Sequence, residues 1–147
     1  MHGHDGQQHV MMLEARTTKP LDFHECLSLL QDAQWGRLVY THQVLPCVLP
    51  TKFHMREGRI VLRIGEHSRL TTAADNTVVS FEADEFDPET GLGWWVTVTG
   101  HARVTDNDSD TTTLSAPAAP SPPGHEPANP AVVINTEIVA GYRGQLL

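Results

Sequence analysis

Trp94-Trp95-Val96-Thr97-Val98-Thr99-Gly100-His101-Ala102-Arg103-Val104-Thr105 reads as one long strand, rich in β-branched and aromatic residues. A strand of this length bends round a closed core, which favours a small barrel over an open sandwich. Alternation along the strand puts Trp94 and Trp95 on opposite faces. The strand Thr77 to Phe86 precedes it, and the turn formers Asp87-Pro88-Glu89-Thr90-Gly91-Leu92-Gly93 join the two.

Working towards the N-terminus, Arg59 to Ile64 is a strand, preceded by a turn at Glu57-Gly58 and a further strand from Leu45 to Met55. A turn around His42-Gln43 leads back to Arg37 to Thr41. Before Gly36 the period changes: Phe23, Cys26, Leu27, Leu30 and Ala33 recur at helical spacing, and Asp22 with Glu25 has the spacing of a capping box. Ser68 to Ala74 has room for two helical turns. Towards the C-terminus, Asp106 to Pro130 carries most of the prolines and few large apolar residues, so it reads as an irregular excursion. Ala131 to Val139 resumes strand character and should return to the main sheet. The sum is mainly β: six strands, an N-terminal helix and one short internal helix, with hairpin connections that imply an antiparallel sheet. Residues 1–19 form a polar, aperiodic tail expected to be mobile, and 20–143 a single domain that includes the 106–130 excursion.

The chain has 147 residues and a formal charge of -8, with a pI near 5.5. That balance argues against general affinity for nucleic acid or an anionic membrane. No apolar run approaches the roughly 20 residues of a membrane span, and the N-terminus lacks the apolar core of a signal peptide. A cytoplasmic location follows as the expectation. Cys26 and Cys47 read as buried small hydrophobes rather than a disulfide framework. Nine histidines are scattered without metal-ligand spacing, so no metal site is expected.

Against this acidic background Arg63-Ile64-Gly65-Glu66-His67-Ser68-Arg69-Leu70 stands out. A flexible residue, a hydroxyl and two cations meet where a helix is expected to start, and such a start presents unpaired N–H groups and a positive dipole end. The combination suits a phosphate group. The competing reading leaves Arg63 and Arg69 as solvated surface charges.

The order of pieces resembles the flavin-binding split-barrel proteins related to pyridoxamine 5'-phosphate oxidase. The resemblance rests on Gly36-Arg37-Leu38, Pro50-Thr51-Lys52-Phe53, Gly58-Arg59-Ile60-Val61-Leu62-Arg63, Ser68-Arg69-Leu70, the Trp94-Trp95 strand and Gly141-Tyr142-Arg143, and it covers roughly residues 20 to 143. It implies a six-stranded antiparallel split β-barrel of Greek-key type that forms a homodimer, with FMN in a cleft at the subunit interface. Arg63, Ile64, Ser68 and Arg69 match the phosphate end of that cleft, where an Arg fork and a hydroxyl suit a dianion. Thr51, Lys52 and Phe53 match the strand along the isoalloxazine ring, with Lys52 standing where relatives often have a small amide. Trp95 matches a position beside the flavin or the dimer interface. His54, His67 and His101 are further candidates for the pocket lining, and Glu82, Asp84, Glu85, Asp87 and Glu89 read as a solvated acidic edge.

The resemblance implies a flavin-dependent oxidoreductase acting on a small redox-active molecule. No catalytic residue stands out. The C-terminal Gly141-Tyr142-Arg143-Gly144-Gln145-Leu146-Leu147 has one arginine and no histidine partner, which argues against pyridoxamine phosphate itself as substrate. The alternatives are a non-catalytic flavin-binding, sequestering or redox-sensing module, and a reductase that uses the deazaflavin F420 in the same cleft.

Overall fold

The computed structural model describes residues 17–63, 68–105 and 130–146 and, of Ser68, Arg69 and Thr71, the backbone alone. Strand β1 (Lys19–Pro20) leads into helix α1 (Phe23–Asp32), followed by β2 (Trp35–His42), β3 (Leu45–Arg56) and β4 (Arg59–Arg63). Helix α2 (Ser68–Ala74), β5 (Thr77–Phe86), β6 (Leu92–Thr105), β7 (Ala131–Ile134) and β8 (Ile138–Gln145) complete it.

The capping box forms as its spacing predicts. Asp22 Oδ1 accepts the Glu25 N–H at 2.8 Å, and Glu25 Oε1 accepts the Asp22 N–H at 3.1 Å, so two otherwise unpaired donors at the start of α1 are satisfied. Cys26 and Leu30 on its inner face are buried. Every strand pairing is antiparallel, in the order β1-β8-β6-β5-β2-β3-β4-β7, and β7 pairs again with β6. That last pairing closes a ring of six strands, β6-β5-β2-β3-β4-β7, which is the expected mainly β, six-stranded barrel with two helices. Its interior holds Leu38, Phe53, Ile60, Leu62, Phe81, Trp94, Val96, Val98 and Ile134 as one core, with Phe53 and Phe81 edge to face at 4.7 Å between centroids.

Two strand assignments differ from the sequence reading. The run Ala131 to Val139 is two strands, β7 and β8, interrupted at Asn135-Thr136-Glu137. The reason lies in β6, whose first half pairs with β8 (Leu92↔Gln145 to Thr99↔Ile138) and whose end pairs with β7 (Ala102↔Ile134 to Thr105↔Ala131). The change of partner falls at Gly100, where an added Cβ would collide with the Asn135 carbonyl. A smooth apolar run conceals such a change of partner. The second difference is β1: Lys19 and Pro20 pair with Arg143 and Tyr142, so ordered pairing begins inside the stretch read as a tail. Residues 1–16 and 106–129, on which the rest of that expectation and most of the excursion fall, lie outside the described residues. No helix among the described residues is long and apolar enough to cross a membrane.

Candidate functional site on the outer face of β3, β4, β7 and β6

Alternation sorts these strands cleanly. Phe53, Ile60, Leu62, Val132, Ile134 and Ala102 enter the barrel core, so their neighbours in sequence point outwards. The outward positions are Lys52, His54 and Arg56 on β3, and Arg59, Val61 and Arg63 on β4. Ala131 and Val133 on β7 continue the face, which ends at Arg103 and Thr105 on β6. Five of the chain's ten lysines and arginines stand on this one face, and none of its positions is acidic. In a chain of net charge -8 this is a local reversal of sign.

Across the middle of the face runs an apolar strip. Val61, Ala131 and Val133 form a second buried cluster on the opposite side of the sheet from the barrel core. His54 stands directly opposite Val61 in the β3–β4 ladder. Among the described residues its Nε2 is buried without a hydrogen-bond partner. Burial first, then the Arg63 and Arg56 charges, lower the His54 pKa below its ordinary value, which keeps the imidazole neutral at pH 7. A neutral ring thus lies beside an apolar strip and within the field of two guanidinium groups.

The expected ring-side strand divides. Phe53 is a core residue, and its N–H is already given to the Gln34 carbonyl at 3.1 Å. Thr51 is buried on the barrel-facing side, and its hydroxyl donates to the Lys52 carbonyl at 3.0 Å. Lys52 alone presents its side chain to the outer face, with Nζ 5.6 Å from the centroid of the Trp35 ring. At the other expected end, Arg63 closes β4 on the same face, one register step beyond the Phe53–Leu62 pair and so level with Lys52. Ser68 and Arg69 occupy the first turn of α2. Ile64, His67 and the side chains of Ser68 and Arg69 lie outside the described residues.

A sequence model of the pyridoxamine 5'-phosphate oxidase family matches residues 22–140. The chain belongs to this family. An uncharacterised protein of Mycobacterium tuberculosis is 32% identical over 102 residues, which cover 66% of this chain and 67% of the relative. Among solved structures, a FAD binding protein from Mycobacterium smegmatis superposes with a TM-score of 0.65 at 26% identity, over 86% of this chain and 98% of its own. A conserved protein of unknown function from Corynebacterium diphtheriae gives the same values.

Within the family barrel the two tryptophans separate as alternation requires. Trp94 is buried in the core. Trp95 faces outwards and stacks on Tyr142 of β8, with centroids 4.9 Å apart. It lies eight residues along β6 from Arg103, about 26 Å at strand rise, in the half that pairs with β8, so within one chain it does not join the face described above. His101 is held at the edge of the face by Glu137, whose Oε2 is 2.9 Å from His101 Nδ1 and accepts the His101 N–H at 2.8 Å. Those bonds lower the Glu137 pKa.

Two readings of individual residues need correction. Cys47 is half-buried, because Leu45 and Val48 on either side of it in β3 are themselves exposed; Cys26 is buried, and burial raises its thiol pKa. Glu82 and Asp84 are not a plain solvated edge, since both share the Arg37 guanidinium at 2.9 and 3.0 Å. Asp87 is structural: its carboxylate accepts the N–H groups of Glu89 and Thr90 and so shapes the β5–β6 loop. Arg56, Arg59, Arg103 and Trp35 were not singled out as site residues by the sequence reading. Strand alternation extended across β2, β3, β4 and β6 would have found them, because each occupies an outward position.

Proposed function

We propose that the outer face of β3, β4 and β7 binds a flavin nucleotide, and that the chain is a flavin-dependent oxidoreductase acting on a small redox-active molecule. The observation that carries this reading is the buried, unpartnered Nε2 of His54, set between Arg63 and Arg56 and opposite the apolar Val61. Membership of the family, and similarity to a FAD binding protein at 26% identity, support it. FMN is the form we assign, because one phosphate suits Arg63 together with Ser68 and Arg69 at the start of α2.

A bound flavin supplies reversible hydride and electron transfer. The chain's own part is to hold and tune it. Arg63 neutralises the phosphate end. Val61, Ala131 and Val133 exclude water beneath the ring system, and the neutral His54 offers one hydrogen bond that a charged imidazolium could not accept. Lys52 places a positive charge at the edge of the face, which favours an electron-rich, reduced ring.

We assign the working form as a homodimer with the cofactor at the subunit interface. Support comes from a row running over five strands, Val48–Val39–Ser80–Thr99–Ile138, in which Val48 and Ile138 are more than three-fifths exposed. Trp95 would then meet the ring only from a second copy.

The test is equilibrium titration of the purified protein with FMN, FAD and F420, followed by addition of NADH or NADPH to the flavin-loaded forms and, in parallel, of reduced F420. Binding of FMN with bleaching on reduction supports the enzyme. Tight binding without reduction by any donor moves the reading to a sequestering or sensing module. Protein that takes up none of the three sinks both.

A further inference from the structure

A cavity of about 710 Å³ opens between the end of α1, the β5–β6 hairpin and β8. Leu29, Phe86, Leu92 and Trp94 give it apolar walls, and charges of both signs meet it at Asp32, Glu85 and Arg143. We infer that this cavity binds a small amphipathic zwitterion, an ammonium and a carboxylate carried on one apolar body, of the class of an apolar amino acid or short peptide.

The strands set the charges apart by register. Glu85 and Arg143 are the two cross-strand partners of Trp94, in β5 and β8 respectively. All three lie two residues from positions on the inner side of the sheet, Ala83, Val96 and Gly141, and so point the same way at the barrel end. The acid and the base therefore stand one strand to either side of the indole, about 10 Å apart at the backbone. Asp32 ends α1, whose last turn carries no basic residue, so the negative end of the helix dipole adds to its charge.

These charges are not spent within the fold. Among the described residues the side chains of Asp32, Glu85 and Arg143 have neither a hydrogen bond nor an ion pair. Asp87 also lines the cavity, but its Oδ1 is taken up by the Glu89 and Thr90 N–H groups. The wall is braced as well: the Leu146 N–H donates to the Gly91 carbonyl at 2.9 Å and the Gln145 amide to the Thr90 carbonyl at 2.7 Å, which ties the hairpin loop to the end of β8. The groups are thus held in place before a ligand arrives.

The sign pattern selects the ligand. A ligand that fills the cavity withdraws its rim charges from water, and a charge so withdrawn without a partner is costly. A plain amine would leave Arg143 unpaired, and a plain carboxylate would leave Asp32 and Glu85 unpaired. A zwitterion pairs all three, since one ammonium has three N–H donors to share between two carboxylates and a guanidinium fork matches one carboxylate. Leu29, Leu92, Phe86 and the indole take the apolar body, and the volume lies in the range of small-molecule sites. None of these residues belongs to the outer face of β3, β4 and β7, so this site does not rest on the flavin assignment.

Amide chemical-shift titration of the full chain tests this with four probes: phenylalanine, leucyl-phenylalanine, phenethylamine and phenylpropionate. The expected result is saturable shifts at Leu92, Gly93, Arg143 and Gly144 with at least one of the two zwitterions, and at least five-fold weaker binding of the amine and of the carboxylate. Arg143→Gln should weaken the zwitterion at least five-fold without weakening phenethylamine. Glu85→Gln should weaken the zwitterion and spare phenylpropionate, a charge-matched split that a purely structural role would not produce. Saturating FMN should leave the shifts in place, and absence of FMN binding with the shifts intact would count against the flavin reading alone. The site is overturned if neither zwitterion shifts these amides, if phenethylamine or phenylpropionate binds wild type as tightly as the zwitterion, if both Gln variants keep wild-type affinity, or if FMN abolishes the shifts.

Discussion

The Lys52 ammonium sits 5.6 Å from the centre of the Trp35 ring, its cross-strand partner in the β2–β3 ladder. Both side chains stand on the outer face, and Trp35 is 55% exposed. The contact holds the ammonium at the edge of the proposed flavin site and leaves the indole within energy-transfer range of it. Flavin binding should therefore quench a large part of the tryptophan fluorescence, and Trp35→Phe should remove most of that quench. Lys52→Ala is expected to weaken FMN binding by about three- to ten-fold, the effect of roughly 1 kcal/mol at an exposed cation–π and hydrogen-bonding position. Quenching that survives unchanged in Trp35→Phe would place the ring elsewhere.

Arg63 and Arg69 are the cations assigned to the proposed phosphate end. Replacing both with Ala should cost several kcal/mol of FMN affinity, at about 1.5–3 kcal/mol for each charge-assisted bond. Riboflavin, which lacks the phosphate, should bind wild type and double variant alike. Equal loss for riboflavin and FMN in a calorimetric titration would show that the arginines act on the fold and not on the phosphate.

Glu82 and Asp84 compete for the single guanidinium of Arg37. Burial first, then the hydrogen bond and charge of Asp84, push Glu82 from its ordinary 4.5 up to about 7, with Arg37 pulling the other way. The sign follows from proton counts. Between pH 4.5 and 7 the folded state holds a proton at Glu82 that the unfolded state has lost, so folding stability falls as pH rises through that window. The melting temperature should drop from pH 5 to pH 7.5, and Glu82→Gln should flatten the profile by an amount on the order of 1 kcal/mol, reduced by the partial exposure of the cluster. A slope unchanged in Glu82→Gln would assign the effect to other groups.

The β2–β3 hairpin turns through Gln43 (φ 50°) and Val44 (φ 60°), both in the left-handed region. Val44 is almost fully exposed and gains nothing from packing to offset its β-branched strain. Substituting Asn-Gly for Gln43-Val44 should raise stability by about 1–2 kcal/mol, measured by chemical denaturation. No gain would mean that the turn relaxes out of the left-handed region in solution.

The alternation of the Trp94 to Thr105 strand and the helical spacing after Asp22 made the barrel and its first helix legible, because burial on one face leaves a period in the sequence. The split of Ala131 to Val139 was not legible: a change of partner at Gly100 is a long-range event, and Asn135-Thr136-Glu137 is too short an interruption to announce it. At the site, Lys52 and Arg63 were legible through motif order and do share a face. Thr51 and Phe53 were named with them, yet their side chains turn inwards, since adjacent strand residues cannot both face a ligand. The clustering of Arg56, Arg59 and Arg103 depends on register between β3, β4, β7 and β6, and pairing across a barrel carries no local signal.

Thr105, the last residue of β6, is register partner to Ala131, the first residue of β7. Whatever joins them leaves and rejoins the barrel at two neighbouring positions, so the ladder itself does the work of closure. Halving the connection changes its closure entropy by only about 0.6 kcal/mol. The two ends of the connection therefore stand side by side, directly next to the basic face.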